Sequence, residues 1–188
     1  MKYLLIIAII FLFFYFSEYN TKKMGGFYVH RTSDHKSLET LQEIDKRINI
    51  LILYLKQKYK NKTCVYKFDM NKRTNQLIRN YDKNALREIS PLNISNHTSF
   101  TEGKGQRVVL CLRSVSGEIH DINTIMFVVL HEMAHVMNEE WGHGEGFWKL
   151  FQIVLIDAAE CNIYTPINYR KYPQNYCGMV IDQSPLFN

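Results

Sequence analysis

Apolar positions divide the chain into an N-terminal run, a short linker and one folded domain. Tyr3 to Phe16 is fourteen residues without a charge. As a helix it would reach about 21 Å. Continued to Tyr19 it approaches the lower limit for crossing a roughly 30 Å hydrocarbon core, with Tyr15, Phe16 and Tyr19 at the interface. Ser17-Glu18-Tyr19-Asn20 offers no small-residue cleavage site. Residues 1–20 are therefore expected to form a transmembrane helix that anchors the chain to a membrane. Lys22, Lys23 and Arg31 beyond it favour a cytoplasmic domain, while three Asn-x-Ser/Thr sequons point the other way, so the side stays open. Residues 21–32, with Gly25-Gly26, read as a linker, and residues 33–188 as the domain.

Within the domain, Ser33 or Asp34 caps a helix predicted to run to about Lys60. Its apolar residues Leu38, Leu41, Ile44, Ile48, Leu51, Leu55 and Tyr59 step by three and four, a stripe that faces a core. Residues 64–68 alternate like a short strand, and a brief helix is expected around Gln76 to Tyr81. Ala85 to Ile89 reads as a strand stopped by Pro91. The polar segment from Asn93 to Gln106, with Gly103 and Gly105, reads as a surface loop. Val108 to Leu112 is a strand. Ile122 to Leu130 is almost unbroken apolar sequence behind a capping Asp121, a helix that belongs in a core. Phe147, Leu150, Phe151, Val154, Leu155 and Ala158 predict a second helix with one apolar face, able to pack on the first. The fold class expected is α+β: a small sheet packed on a central helix.

Charge and cysteine content change this picture little. A net charge of +5 over 188 residues permits contact with phosphate or anionic lipid without requiring it. Lys56, Lys58, Lys60 and Lys62 crowd one helix end with only Tyr59 among them, a weak nucleic-acid signature. Cys64, Cys111, Cys161 and Cys177 would allow two disulfides in an oxidising compartment. None forms a Cys-x-x-Cys pair, so a separate cysteine zinc knuckle is not indicated.

The chemistry concentrates in His131-Glu132-Met133-Ala134-His135 and the following His143-Gly144-Glu145-Gly146-Phe147-Trp148. Positions i and i+4 of a helix lie one turn apart on the same face, so His131 and His135 can grip one small cation. Glu132 can then reach a water on that cation as general base. Polar side chains at the end of so apolar a helix would cost several kcal/mol unless coordinated or hydrogen-bonded. A catalytic zinc site needs a third ligand. His143 is preferred, because Asn138 can end the helix in the left-handed conformation and Gly142 and Gly144 let the chain turn back. Glu160, on the next helix, is the alternative, with Glu139, Glu140 and Glu145 weaker. A metzincin would need histidine at 141 and glycine at 138, where Trp141 and Asn138 stand.

The string His131 to His135 followed by His143 to Trp148 resembles the zinc site of the WLM and SprT-like metalloproteases. It covers about a quarter of the chain. The resemblance implies a zincin-like fold, Zn2+ held by His131, His135 and His143, and a protein or peptide substrate cut with Glu132 as base. It also implies that the strand before the motif is the edge on which an extended substrate pairs, whereas from the residues alone Val108 to Leu112 could equally be central. Similar peptidases are encoded by large DNA viruses, whose AT-rich genomes the Asn-, Lys-, Ile- and Tyr-rich composition resembles. A carbonyl-polarising tyrosine could be Tyr164, Tyr169, Tyr172 or Tyr176. The other readings are a membrane-tethered binding module with structural zinc only, and a basic DNA-associated protein that holds partners without cutting them.

Overall fold

The computed structural model describes residues 21–30, 33–61, 64–89 and 99–187. Its first strands, β1 (Thr21–Met24) and β2 (Phe27–His30), form an antiparallel hairpin in which Met24 faces Phe27 across Gly25-Gly26. Both glycines have positive φ, +55° and +93°. That is the backbone a two-residue hairpin turn demands. Residues 21–30 of the segment read as a linker are thus part of the domain, because Phe27 and Val29 point inward and are buried.

Helix α1 (His35–Lys58) begins at Asp34, whose carboxylate accepts from the Lys36 amide, and buries the predicted stripe: Leu41, Ile44, Ile48, Leu51 and Leu55 are fully enclosed. After a minimal hairpin of β3 (Cys64–Val65) and β4 (Phe68–Asp69) comes α2 (Met70–Asn80). It is longer than expected because Asp69 caps it, accepting from the Lys72 amide. Strand β5 (Leu86–Ile89) follows, then β6 (Phe100–Glu102) and β7 (Arg107–Cys111). The helix pair α3 (Ile122–Met137) and α4 (Glu145–Glu160) leads to a last hairpin, β8 (Gln174–Tyr176) and β9 (Met179–Ile181).

The main sheet has five strands in the order β1-β2-β5-β7-β6. β2, β5 and β7 are parallel, flanked by antiparallel β1 and β6. β7 is therefore an inner strand, and the outermost strand beside it among the described residues is β6, within the segment read as a surface loop. Three residues are too few to show an alternation in sequence. One buried carboxylate, Glu88 on β5, ties the layers together. It accepts from the His30 amide at 3.0 Å and the Ser37 hydroxyl at 2.8 Å, also bonds the Ser33 hydroxyl, and has Arg113 Nε at 3.6 Å.

The expected membrane span is corrected. Among the described residues no helix is long and apolar enough to cross a membrane. α1 has the length but carries Lys36, Glu39, Glu43, Asp45, Lys46 and Arg47, and α3 is apolar but at 16 residues falls short of a roughly 30 Å core. The fold is an α+β domain with four helices and a mixed sheet among the described residues, and none of these helices supports the expected transmembrane helix or the single-pass membrane localisation. Residues 1–20, on which both expectations were placed, lie outside the described residues.

Candidate metal centre

Helix α3 is the platform. Asp121 caps it, accepting from the Thr124 amide at 2.9 Å, and Ile125, Met126, Val129, Leu130 and Met133 are fully buried. A helix so enclosed holds its polar side chains in fixed directions. His131 and His135 lie one turn apart, with their Nε2 atoms 3.2 Å from each other.

The helix ends at Met137, and its last carbonyls are satisfied from α2: Gln76 Nε2 donates to Val136 O at 2.8 Å and Arg73 to Met137 O at 3.2 Å. Asn138 leaves the helix extended (φ −82°, ψ 135°) rather than left-handed, so the expected cap conformation is not used. The reversal falls at Gly142 (φ +81°). Gly144 has an ordinary φ of −64° and serves as the N-cap of α4. Lys104, from the β6–β7 turn, pins the connecting segment, donating to Asn138 O at 2.7 Å and Glu140 O at 2.8 Å while its ammonium lies 4.4 Å from the Trp141 ring centroid.

This path delivers His143 to the helix. Its Nε2 lies 2.9 Å from that of His131 and 3.0 Å from that of His135. Three ring nitrogens this close cannot all be satisfied by protons they share, because each proton serves one pair. A cation serves all three. Ligands at the usual zinc–nitrogen distance of ~2.0–2.1 Å in a tetrahedron stand about 3.3 Å apart, close to what the three rings show, so the residues fit the metal. No fourth His, Cys, Asp or Glu joins the group among the described residues.

The rings are braced by aromatic side chains of α4. His135 stacks on Phe147 with centroids 4.2 Å apart, and His131 meets the Phe151 ring edge-on at 5.2 Å. Burial, and then the neighbouring His135 and His143, push the His131 pKa down to about 3. Burial first, with His143 and Lys104, takes His135 to about 4, and burial lowers His143 as well. All three are neutral at physiological pH, the form that binds a metal. Glu132 goes the other way. Its burial raises the carboxyl to about 7, opposed by the Thr101 hydroxyl of β6, which donates to it at 2.7 Å.

A cavity of about 920 Å³ opens beside the cluster, with His131, Glu132 and His143 on one wall and Met179 to Pro185 on the other. Glu160 is not at the site. It sits at the far end of α4, ion-paired to Lys58 at 2.5 Å and bonded to the Tyr54 hydroxyl. Glu139 pairs with Lys72 at 2.7 Å, and Glu145 lines the cavity. None of the four candidate tyrosines lines it: Tyr164 and Tyr169 pack near Phe127, Tyr172 is exposed, and the buried Tyr176 bonds to Ser99. Thr101 and Lys104 were missed, since both lie in the stretch that reads as a polar loop.

Fold and site together define an α+β domain with a three-histidine centre and a buried acid on one helix. The chain is 40% identical over 195 residues to uncharacterized protein R325 of Acanthamoeba polyphaga mimivirus, covering 97% of this chain and 94% of the relative. It belongs to the same family as that viral protein. Shorter matches are to uncharacterized protein 042R of Invertebrate iridescent virus 3 (34% identity, half of this chain and 62% of the relative) and 136R of Invertebrate iridescent virus 6 (35%, 42% and 44%). No family model matches the chain, and no solved structure matches it.

Proposed function

We propose that this chain is a zinc-dependent metallopeptidase. The observation that carries the reading is the convergence of His131, His135 and His143 with their Nε2 atoms 2.9–3.2 Å apart, beside the buried Glu132. Bound by these imidazoles, Zn2+ would polarise the scissile carbonyl and lower the pKa of water to about 7. Glu132 takes the proton from the attacking water and returns it to the leaving amine. A carboxyl titrating near 7 can do both at little cost. Thr101 holds that carboxylate in place, and Phe147 holds the His135 ring. The peptide substrate class rests on the resemblance of the motif to the WLM and SprT-like metalloproteases.

A structural zinc would want a closed set of four ligands, and the three-histidine group leaves one position to the cavity. Nothing specific favours a DNA-associated role: Lys58, central to the basic helix end, is engaged by Asp157 and Glu160. The test is Glu132→Ala, assayed for zinc content and for hydrolysis of an unfolded general protein substrate with a chelator control. Zinc should be retained and hydrolysis abolished. Turnover surviving in that variant would overturn the assignment of the base.

A further inference from the structure

A second cluster of metal-ligating side chains lies outside the histidine centre and does not depend on its interpretation. Cys111 ends β7. The chain then reverses through a turn in which Ser114 N donates to Glu118 O, and His120 N donates to Leu112 O at 2.9 Å, returning His120 alongside the end of β7. Cys177 reaches the same point from the β8–β9 turn, and its sulfur is joined to that of Cys111, with the Cα atoms 6.3 Å apart. His120 Nε2 lies 3.3 Å from Cys177 Sγ. The Arg113 carbonyl oxygen lies 3.3 Å from Cys111 Sγ and 3.5 Å from Cys177 Sγ.

Two features indicate that more than a cross-link is built here. Cys177 occupies the left-handed region (φ +49°), where a non-glycine side chain costs about 1–2 kcal/mol and Asn or Gly is usual. The position is thus held for its sulfur. An imidazole nitrogen and a carbonyl oxygen also face the sulfurs, although a disulfide needs neither. The hairpin of two three-residue strands buries Tyr176 and Ile181 but leaves Met179 and Val180 half exposed at its tip. Tyr176 seats it against His120, with ring centroids 5.0 Å apart, and bonds Ser99, and the cross-link at Cys177 ties the turn that follows.

We propose that Cys111, Cys177 and His120 form, in the reduced chain, a second metal site for a thiophilic divalent cation such as Zn2+. A dithiol reductant breaks the sulfur–sulfur bond, supplies two electrons and two protons, and is left as its own disulfide. The cation then binds two thiolates and the neutral imidazole, and the two thiol protons go to solvent. The sulfurs need separate only to about 3.8 Å, the spacing of two thiolates on one tetrahedral zinc, and the fourth position falls to the Arg113 carbonyl or a water. The same side chains thus fasten the hairpin by a disulfide in oxidising surroundings and by a metal in reducing ones. Because Met179 to Ile181 wall the large cavity, either cross-link holds that wall in place.

The experiment measures zinc per full-length chain after loading and desalting, in the oxidised form and after anaerobic reduction with a phosphine. Reduction should add one equivalent. In H131A/H135A, which disables the histidine centre, the count should go from none to one. A wild-type chain that gains an equivalent on reduction but holds none when oxidised would count against the histidine centre and leave this site standing. In a C64S/C161S background Zn2+ should protect the two remaining thiols from alkylation, and Co2+ should give sulfur-to-cobalt charge-transfer absorption. Equal zinc in both redox states, or an added equivalent that persists in H120A or C177S, would overturn the proposal.

Discussion

Replacing Glu132 by Gln should stabilise the metal-free protein, and by an amount that depends on pH. Glu132 is 4% exposed, and its carboxyl titrates near 7 in the folded chain against 4.5 as an ordinary glutamate. The folded state therefore binds the proton more tightly than the unfolded state does. Below about pH 4.5 the group is protonated in both states and costs nothing. As pH rises toward 7, ionisation of the unfolded chain pulls stability down, and above that the loss levels off. The difference amounts to roughly 3 kcal/mol at pH 8 and under about 1 kcal/mol at pH 5. Glutamine keeps the shape and an oxygen to accept from Thr101 but carries no charge. Urea unfolding of both chains, stripped of metal, at pH 5 and pH 8 measures the effect. The variant should gain about 2 kcal/mol more at pH 8 than at pH 5. An equal effect at the two values would refute the claim that a buried, ionisable acid costs stability at this site.

Three further outcomes follow from the same geometry. His143→Ala should lower zinc occupancy in metal analysis of the desalted chain, and unchanged zinc would mean that another group completes the site. Thr101→Val removes the bond that holds the Glu132 pKa down, so the acid limb of the pH–rate profile should move to higher pH; a shift to lower pH would contradict the sign. Phe147→Ala removes a fully buried ring stacked on His135. It should cost about 3–5 kcal/mol in chemical unfolding and loosen zinc binding, and a loss below about 1 kcal/mol would show that the site tolerates the void.

Periodicity and local chemistry made much of the helical framework legible. The α1 stripe from Leu38 to Tyr59 and the apolar run ahead of His131 determine which faces are buried, because a helix presents i, i+3 and i+4 together whatever surrounds it. For the same reason His131 and His135 could be paired without any structure. His143 was legible more weakly, through the Gly142 turn that only the fold uses. Residues with no local pattern were not legible. Strand β6 is three residues in a polar stretch, yet register with β7 makes it the outermost described strand on that side and sets Thr101 on Glu132. Gly25-Gly26 looks the same in a linker as in a hairpin turn; burial of Phe27 and Val29 decides between them.

The sequence by itself determined the histidine pair, the acid beside it and the helix that carries them, since these depend on contacts a few residues apart. Tertiary structure alone decided that Glu160 belongs to Lys58 and Tyr54, that Lys104 clamps the segment carrying His143, and that Cys111 meets Cys177 across 66 positions. Such partners are brought together by closing long loops around a shared core, and spacing along the chain carries no record of which closures that core favours.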